Sequence, residues 1–228
     1  MSAPTESFRI LYVCVGNLCR SVFAEKLTLR EIGNQPWSWA SRIEVASAGT
    51  RAKDGEPMHP ITARVLSERG FDETDFAARR ITPALLQATD LILTATIEER
   101  DDVVERLPRA LPRTFTVNEF ARLGAYVSRP EPEPEHDPVE RARRRVAAMI
   151  ALRGRVTPRM ACADGTVLGD DIPDPKRRTE PFRSCANAIE ATTRLIVQNL
   201  RCCEERRCAE PPEITPLSSA ARGETARS

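Results

Sequence analysis

The sequence predicts one α/β domain whose parallel sheet is covered by helices on both faces. Two observations carry this. Short apolar, β-favouring runs alternate with segments of helical periodicity, and each run stops abruptly at a glycine or a polar turn. Phe8-Arg9-Ile10-Leu11-Tyr12-Val13 is the first run, and it ends at Cys14 and Gly16 as a buried parallel strand does. Ser21 to Ile32 follows, rich in helix formers such as Ala24, Glu25, Leu27 and Leu29, with Gly33 as its stop. A second strand fits Ile43 to Ser47, closed by Gly49. Pro60 to Arg69 then reads as a helix with Ile61, Val65 and Leu66 on one face. Asp90 to Thr96 is the third strand, preceded by a short helix opening at Thr82-Pro83. Arg113 to Val117 is the fourth, ahead of a helix from Asn118.

Past Gly124 the composition changes. Arg129 to Pro138 holds four prolines among Glu, His and Asp, which resists regular structure. The stretch from about 124 to 170 therefore reads as an insertion. It contains a basic amphipathic helix, Pro138 to Arg153, packed through Val139, Ala142, Val146, Met149 and Ile150. Glu180 to Arg206 is the last long helix, closing the core with Ala186, Ile189, Ile196, Val197 and Leu200. From Glu210 the chain is Pro, Ser, Arg and Glu with too few apolar residues to offset ordering entropy. The expected organisation is a domain over residues 1–208 and a disordered tail over 209–228.

The 228 residues carry 34 basic and 33 acidic side chains, a net charge of +1. That balance argues against nucleic acid or an anionic membrane as a bulk electrostatic partner, so any anion binding is local. No apolar run is long enough to span a bilayer, and the first residues lack a signal-peptide pattern, so the expected location is cytoplasmic. Seven cysteines, odd in number and irregularly spaced, favour free thiols over a disulfide framework. Cys202, Cys203 and Cys208 lack a histidine or a paired spacing, and His59 and His136 stand alone. Neither a metal nor a cofactor is expected.

Chemistry concentrates in Cys14-Val15-Gly16-Asn17-Leu18-Cys19-Arg20-Ser21. A strand that runs through a short glycine-bearing loop into a helix aims backbone N–H groups and the positive end of the helix dipole at one point, which suits a dianion. The amides of Val15, Gly16, Asn17, Leu18, Cys19 and Arg20 can curl around phosphate oxygens, with Gly16 and Asn17 best able to take left-handed dihedrals. Arg20 adds a planar fork for two of those oxygens. The field that holds phosphate also favours Cys14 as a thiolate nucleophile, and the Ser21 hydroxyl can donate to its sulfur. Cys19 stands where a second thiol could trap oxidised Cys14 as a disulfide.

These residues resemble the low-molecular-weight protein tyrosine phosphatase family, whose signature Cys-x-Gly-Asn-x-Cys-Arg-Ser is matched by Cys14 to Ser21. The resemblance extends to Ser47-Ala48-Gly49-Thr50, where it implies that Ser47 supports Asn17. It extends also to Asp171-Ile172-Pro173-Asp174-Pro175, where it implies Asp174 as the general acid and base, with Asp171 the alternative. The implied fold is a flavodoxin-like three-layer sandwich with a four-stranded parallel sheet in the order 2-1-3-4, its loop at the carboxyl end of strand one beside the switch point. The implied activity is hydrolysis of a phosphorylated protein or a small phosphate ester through a phosphocysteine.

Two features depart from that pattern. Arg51-Ala52-Lys53 and Lys176-Arg177-Arg178 stand where phosphotyrosine-directed relatives place aromatic side chains, so the slot beside the loop is expected to be open and basic; Val22 replaces the usual proline after Arg-Ser. Arsenate reductases share the loop, but they need two further cysteines in and after the third strand, and none occurs from Leu93 to Met160. The remaining alternative is a phosphate-binding sensor without turnover.

Overall fold

In the computed structural model, which describes residues 7–71, 75–127, 137–156, 160–161, 167–175 and 178–201, the first strand does what its alternation dictates. β1 (Phe8–Cys14) sends Phe8, Ile10, Tyr12 and Cys14 to one face of the sheet and Leu11 and Val13 to the other, and all six are buried. The chain continues as α1 (Arg20–Gly33), the short α2 (Trp37–Ala40), β2 (Ile43–Gly49), α3 (Pro60–Ser67), α4 (Pro83–Gln87), β3 (Leu91–Thr94) and α5 (Ile97–Arg106). A 3-10 stretch, Pro108–Arg113, leads to β4 (Thr114–Thr116) and α6 (Val117–Gly124). After the proline-rich stretch come α7 (Pro138–Leu152), a ribbon of β5 (Met160–Ala161) and β6 (Val167–Leu168), and α8 (Thr179–Arg201).

The sheet is parallel, ordered β2-β1-β3-β4, with Ile10 opposite both Val45 and Leu91. The fold is therefore the flavodoxin-like sandwich. One face packs a large core against α1, α3, α6, α7 and α8, through residues such as Phe23, Leu66, Phe120, Met149 and Ile189. The other carries a smaller core under α4 and α5, from Leu86 and Val103 to Leu11 and Ile92. Tyr12 lies inside the larger core, where its hydroxyl meets Thr28 Oγ1 at 2.8 Å and burial pushes its pKa up.

α7 packs its apolar stripe, Val139, Ala142, Val146 and Met149, into the larger core. The described part of the last helix ends at Arg201, and the rest of the expected helix and the expected tail lie outside the described residues, as do most of Arg129 to Pro138 and Cys162, Cys202, Cys203 and Cys208. α5 has no counterpart in the sequence reading. Only Glu99 and Val103 of its ten residues are buried, so its apolar periodicity is too thin to register. It also shortens the third strand, because Thr96 leaves the sheet to cap it and accepts from the Glu99 N–H at 3.4 Å. Among the described residues no helix is long and apolar enough to cross a membrane.

Candidate active site

The loop from Cys14 to Arg20 sits at the carboxyl end of β1, beside the point where the strand order reverses. Neighbouring strand ends hold its backbone. Thr50 N–H donates to Cys14 O and Arg51 N–H to Val15 O, each at 2.9 Å, while His59 N–H reaches Leu18 O at 3.1 Å. Gly49 makes the first two possible, since a Cβ there would lie 2.5 Å from Val15 O and 2.8 Å from Asn17 N. No side chain caps the start of α1, so its first N–H groups are left to face an anion.

Asn17 is the keystone of the loop. It takes the left-handed conformation at φ 55°, which asparagine tolerates better than most side chains, and it is fully buried. Its Nδ2 donates to Ser21 Oγ at 3.0 Å and to Ser47 Oγ at 2.8 Å, and its Oδ1 accepts from the Arg79 N–H at 3.0 Å. Ser47 in turn donates to Glu25. Because Ser21 Oγ already accepts from Asn17, its own proton is free to point at Cys14 Sγ, 3.0 Å away. The chain of bonds from Glu25 to the sulfur thus leaves one hydroxyl donor aimed at the thiol. It places Ser47 against Asn17.

Arg20 is buried at the mouth of α1 and held on three sides. Nη2 is 3.1 Å from Glu99 Oε1, Nη1 donates to Ile172 O at 3.2 Å, and Nε is 3.1 Å from Asp174 Oδ1. Asp174 lies off the Nε–H direction, so that N–H makes no hydrogen bond. Burial lowers the Arg20 pKa, but the charges of Glu99, Cys14 and Asp174 outweigh it and the guanidinium is held charged.

Asp174 is brought in by tethers upstream of it. Arg122 grips both Asp170 oxygens at 2.8 and 3.0 Å, Asn118 donates to Gly169 O, and the Ile172 N–H reaches Ala95 O at 2.8 Å. Asp171 accepts the Ile97 N–H at 2.8 Å and so caps α5. Asp174 alone of the two borders the cleft above the loop, with its side chain 75% exposed.

That cleft, of 590 Å3, is floored by Cys14 and the loop and walled by Leu18, His59, Thr96, Glu98, Pro175 and Phe182. The slot is not bare of aromatics. Phe182 of α8 and His59 stack with ring centroids 4.8 Å apart at 28°. The sequence reading looked for aromatic side chains after the second strand and after Asp174-Pro175, whereas here they come from the residue before α3 and from one turn inside α8. Nor does His59 stand alone. On the basic side, Arg51 is paired with Glu98 at 3.4 Å, and Lys176 and Arg177 lie outside the described residues.

Glu99 and Cys185 also went unread. Cys185, one turn after Phe182, meets Cys19 behind the loop. The hydrogen bond Cys19 donates to Cys185, together with burial, pushes the Cys19 thiol up and keeps it protonated. Among the described residues no group of His, Cys, Asp and Glu could hold a metal ion.

A cysteine-bearing loop at the switch point of a parallel sheet, with an arginine in the loop and a carboxyl above it, is an arrangement suited to holding a phosphate-like anion. The model of the family described as low molecular weight phosphotyrosine protein phosphatase matches residues 9–153, and the chain belongs to that family of hydrolases. It is 30% identical over 129 residues to the low molecular weight protein-tyrosine-phosphatase Ptp of Acinetobacter johnsonii, covering 56% of this chain and 81% of that protein. It is 34% identical over 113 residues to the protein-arginine-phosphatase of Geobacillus stearothermophilus, covering 50% of this chain and 71% of the relative. The solved structure of the YwlE arginine phosphatase from Geobacillus stearothermophilus superposes with a TM-score of 0.57 at 25% identity, over 85% of this chain and 92% of that one.

Proposed function

We propose that the chain hydrolyses phosphotyrosine on proteins through a phosphocysteine at Cys14. The observation that carries this reading is the Cys14 sulfur, 3.0 Å from Ser21 Oγ on the cleft floor, with Arg20 and Asp174 on the side from which substrate enters. The phosphoryl oxygens take the loop amides and the unpartnered Arg20 Nε–H, which displaces Asp174 from the guanidinium. The dianion disfavours a second negative charge beside it, so Asp174 enters the first step as the acid. Cys14 thiolate attacks phosphorus, the P–O bond breaks, and Asp174 passes its proton to the departing phenolate oxygen. Asp174 carboxylate then takes a proton from water as the water attacks phosphorus. The P–S bond breaks, phosphate leaves, and the Ser21 hydroxyl donates to the released thiolate. The Leu18, Phe182 and His59 wall offers an apolar surface for the phenyl ring.

A second reading, phosphoarginine, is favoured by Glu98 and Asp174 at the mouth, which would welcome a guanidinium leaving group. Steady-state kinetics on p-nitrophenyl phosphate and on matched phosphotyrosine and phosphoarginine peptides decide between them. Cys14→Ser is expected to abolish turnover while still binding phosphate. Asp174→Asn is expected to slow phenyl phosphate about 10²-fold or more, and p-nitrophenyl phosphate far less. Measurable turnover by Cys14→Ser ends the thiolate mechanism, and equal losses on both esters place the acid elsewhere.

A further inference from the structure

His59 lines the cleft and has a polar end that the hydrolytic steps leave unused. Arg20 engages Glu99 and Asp174, Glu98 engages Arg51, Cys14 engages Ser21, and Cys19 engages Cys185. His59 Nδ1 accepts the Ile61 N–H at 3.2 Å and thereby caps α3, so the proton of the neutral ring sits on Nε2. Nε2 has no hydrogen-bond partner among the described residues. The ring is also fixed in place. Its main-chain N–H is tied to Leu18 O in the phosphate loop, and its face is stacked on Phe182. A donor held that rigidly beside the reacting centre loses little entropy on engaging a ligand.

We propose, on the reading that this site hydrolyses a phosphorylated side chain of a protein, that His59 is a specificity residue. Its Nε2–H takes the carboxylate of an acidic residue flanking the phosphorylated one. A carboxylate is the acceptor best matched to this donor, because an ionised acceptor makes the stronger hydrogen bond. Glu98 also lines the cleft, and its carboxylate disfavours a substrate carboxylate near it, which leaves the His59 side as the one where it fits. The charged and titratable residues that line the same cleft are Cys14 and Arg20 of the loop, Glu98 and Glu99 of α5, and Asp174. The α8 residue stacked on the ring is the uncharged Phe182.

The test compares two peptides that differ only by Asp or Asn beside the phosphorylated residue, built on whichever phosphoamino acid is turned over faster. The wild-type chain is expected to favour the Asp peptide by about three- to tenfold in kcat/KM. The preference should reside in KM. His59→Asn keeps an oxygen that can cap α3, but its shorter amide withdraws the donor from the position of Nε2, so its ratio should fall to about one. His59→Asp should reverse the preference. A wild-type ratio of one, or a His59→Asn ratio equal to wild type, overturns the assignment. Binding of the same two peptides to Cys14→Ser separates this from the hydrolytic reading. Absent turnover with the binding preference intact sinks hydrolysis and keeps the role of His59; turnover without the preference sinks His59 alone.

Discussion

Replacing Glu99 by glutamine removes one charge from the most enclosed ion pair of the site. Glu99 is 2% exposed and Arg20 5%, with 3.1 Å between Nη2 and Oε1. Breaking a buried pair by removing one charge costs about 3–5 kcal/mol, because the partner is left charged and dry. Two features soften that here. Glutamine keeps a carbonyl oxygen that can still accept from Arg20, and Asp174 remains 3.1 Å from Nε. A loss of about 2–3 kcal/mol in stability follows.

The kinetic effect has a separate origin. Ile172 O and Glu99 are the two buried anchors of the guanidinium plane, while Asp174 is exposed and off the Nε–H axis. With one anchor weakened, the fork no longer arrives pre-aimed at the phosphoryl oxygens. Losing one such preorganised donor costs about 10²–10³ in kcat. Glu99→Gln is therefore expected to lower kcat on p-nitrophenyl phosphate about 10²-fold and to weaken inhibition by inorganic phosphate, read together with a urea unfolding midpoint. A variant that is destabilised yet keeps kcat within about twofold, with unchanged phosphate inhibition, would refute the reasoning: Glu99 would then neutralise Arg20 without aiming it.

Gly49→Ala is expected to abolish phosphate binding and turnover, because a Cβ there meets the loop backbone at 2.5 Å from Val15 O and must push the nest open; wild-type phosphate affinity by calorimetry would contradict that. Asp137 caps α7 by accepting the Val139 N–H at 2.7 Å, a bond that leads the lowering of its pKa, with Arg42 adding to it. A carboxylate whose folded pKa is depressed stabilises above its unfolded pKa of about 4 and loses that stabilisation as pH falls through the folded value. Asp137→Ala should thus cost about 1 kcal/mol at pH 7, the worth of an N-cap, with little from the Arg42 pair because Asp137 is 48% exposed. Its urea midpoint should approach wild type as pH falls below the unfolded pKa of about 4, and a constant gap would show that the charge is not what α7 uses.

What was legible in the sequence was whatever lies within one local unit. The strand, nest and helix from Phe8 to Gly33 are contiguous, and their chemistry is written in consecutive residues. Asp174 stood out only through the resemblance, and the structure supplies the reason it reaches the loop: Arg122, Asn118 and Ala95 reel in the segment before it. Glu99, His59, Phe182 and Cys185 were not legible because each acts across a tertiary contact. Glu99 sits in a helix with almost no apolar signal. His59 and Phe182 meet across 123 positions of chain (182 − 59), with neither flanked by a motif.

The same contacts bear on why one thiol and not the other is suited to attack. Cys14 and Cys19 share the loop and are both buried, so composition alone makes them equivalent. The asymmetry lies in what each meets. Cys14 faces the Ser21 hydroxyl, which already accepts from Asn17 and has its proton left to give to sulfur, with the charged Arg20 near enough to be felt. Cys19 turns the other way, toward Cys185, and its own proton is engaged there. The donor network from Glu25 through Ser47, Asn17 and Ser21 therefore directs its polarity at Cys14. The second thiol is held as a neutral packing group that can become reactive only if its bond to Cys185 is given up.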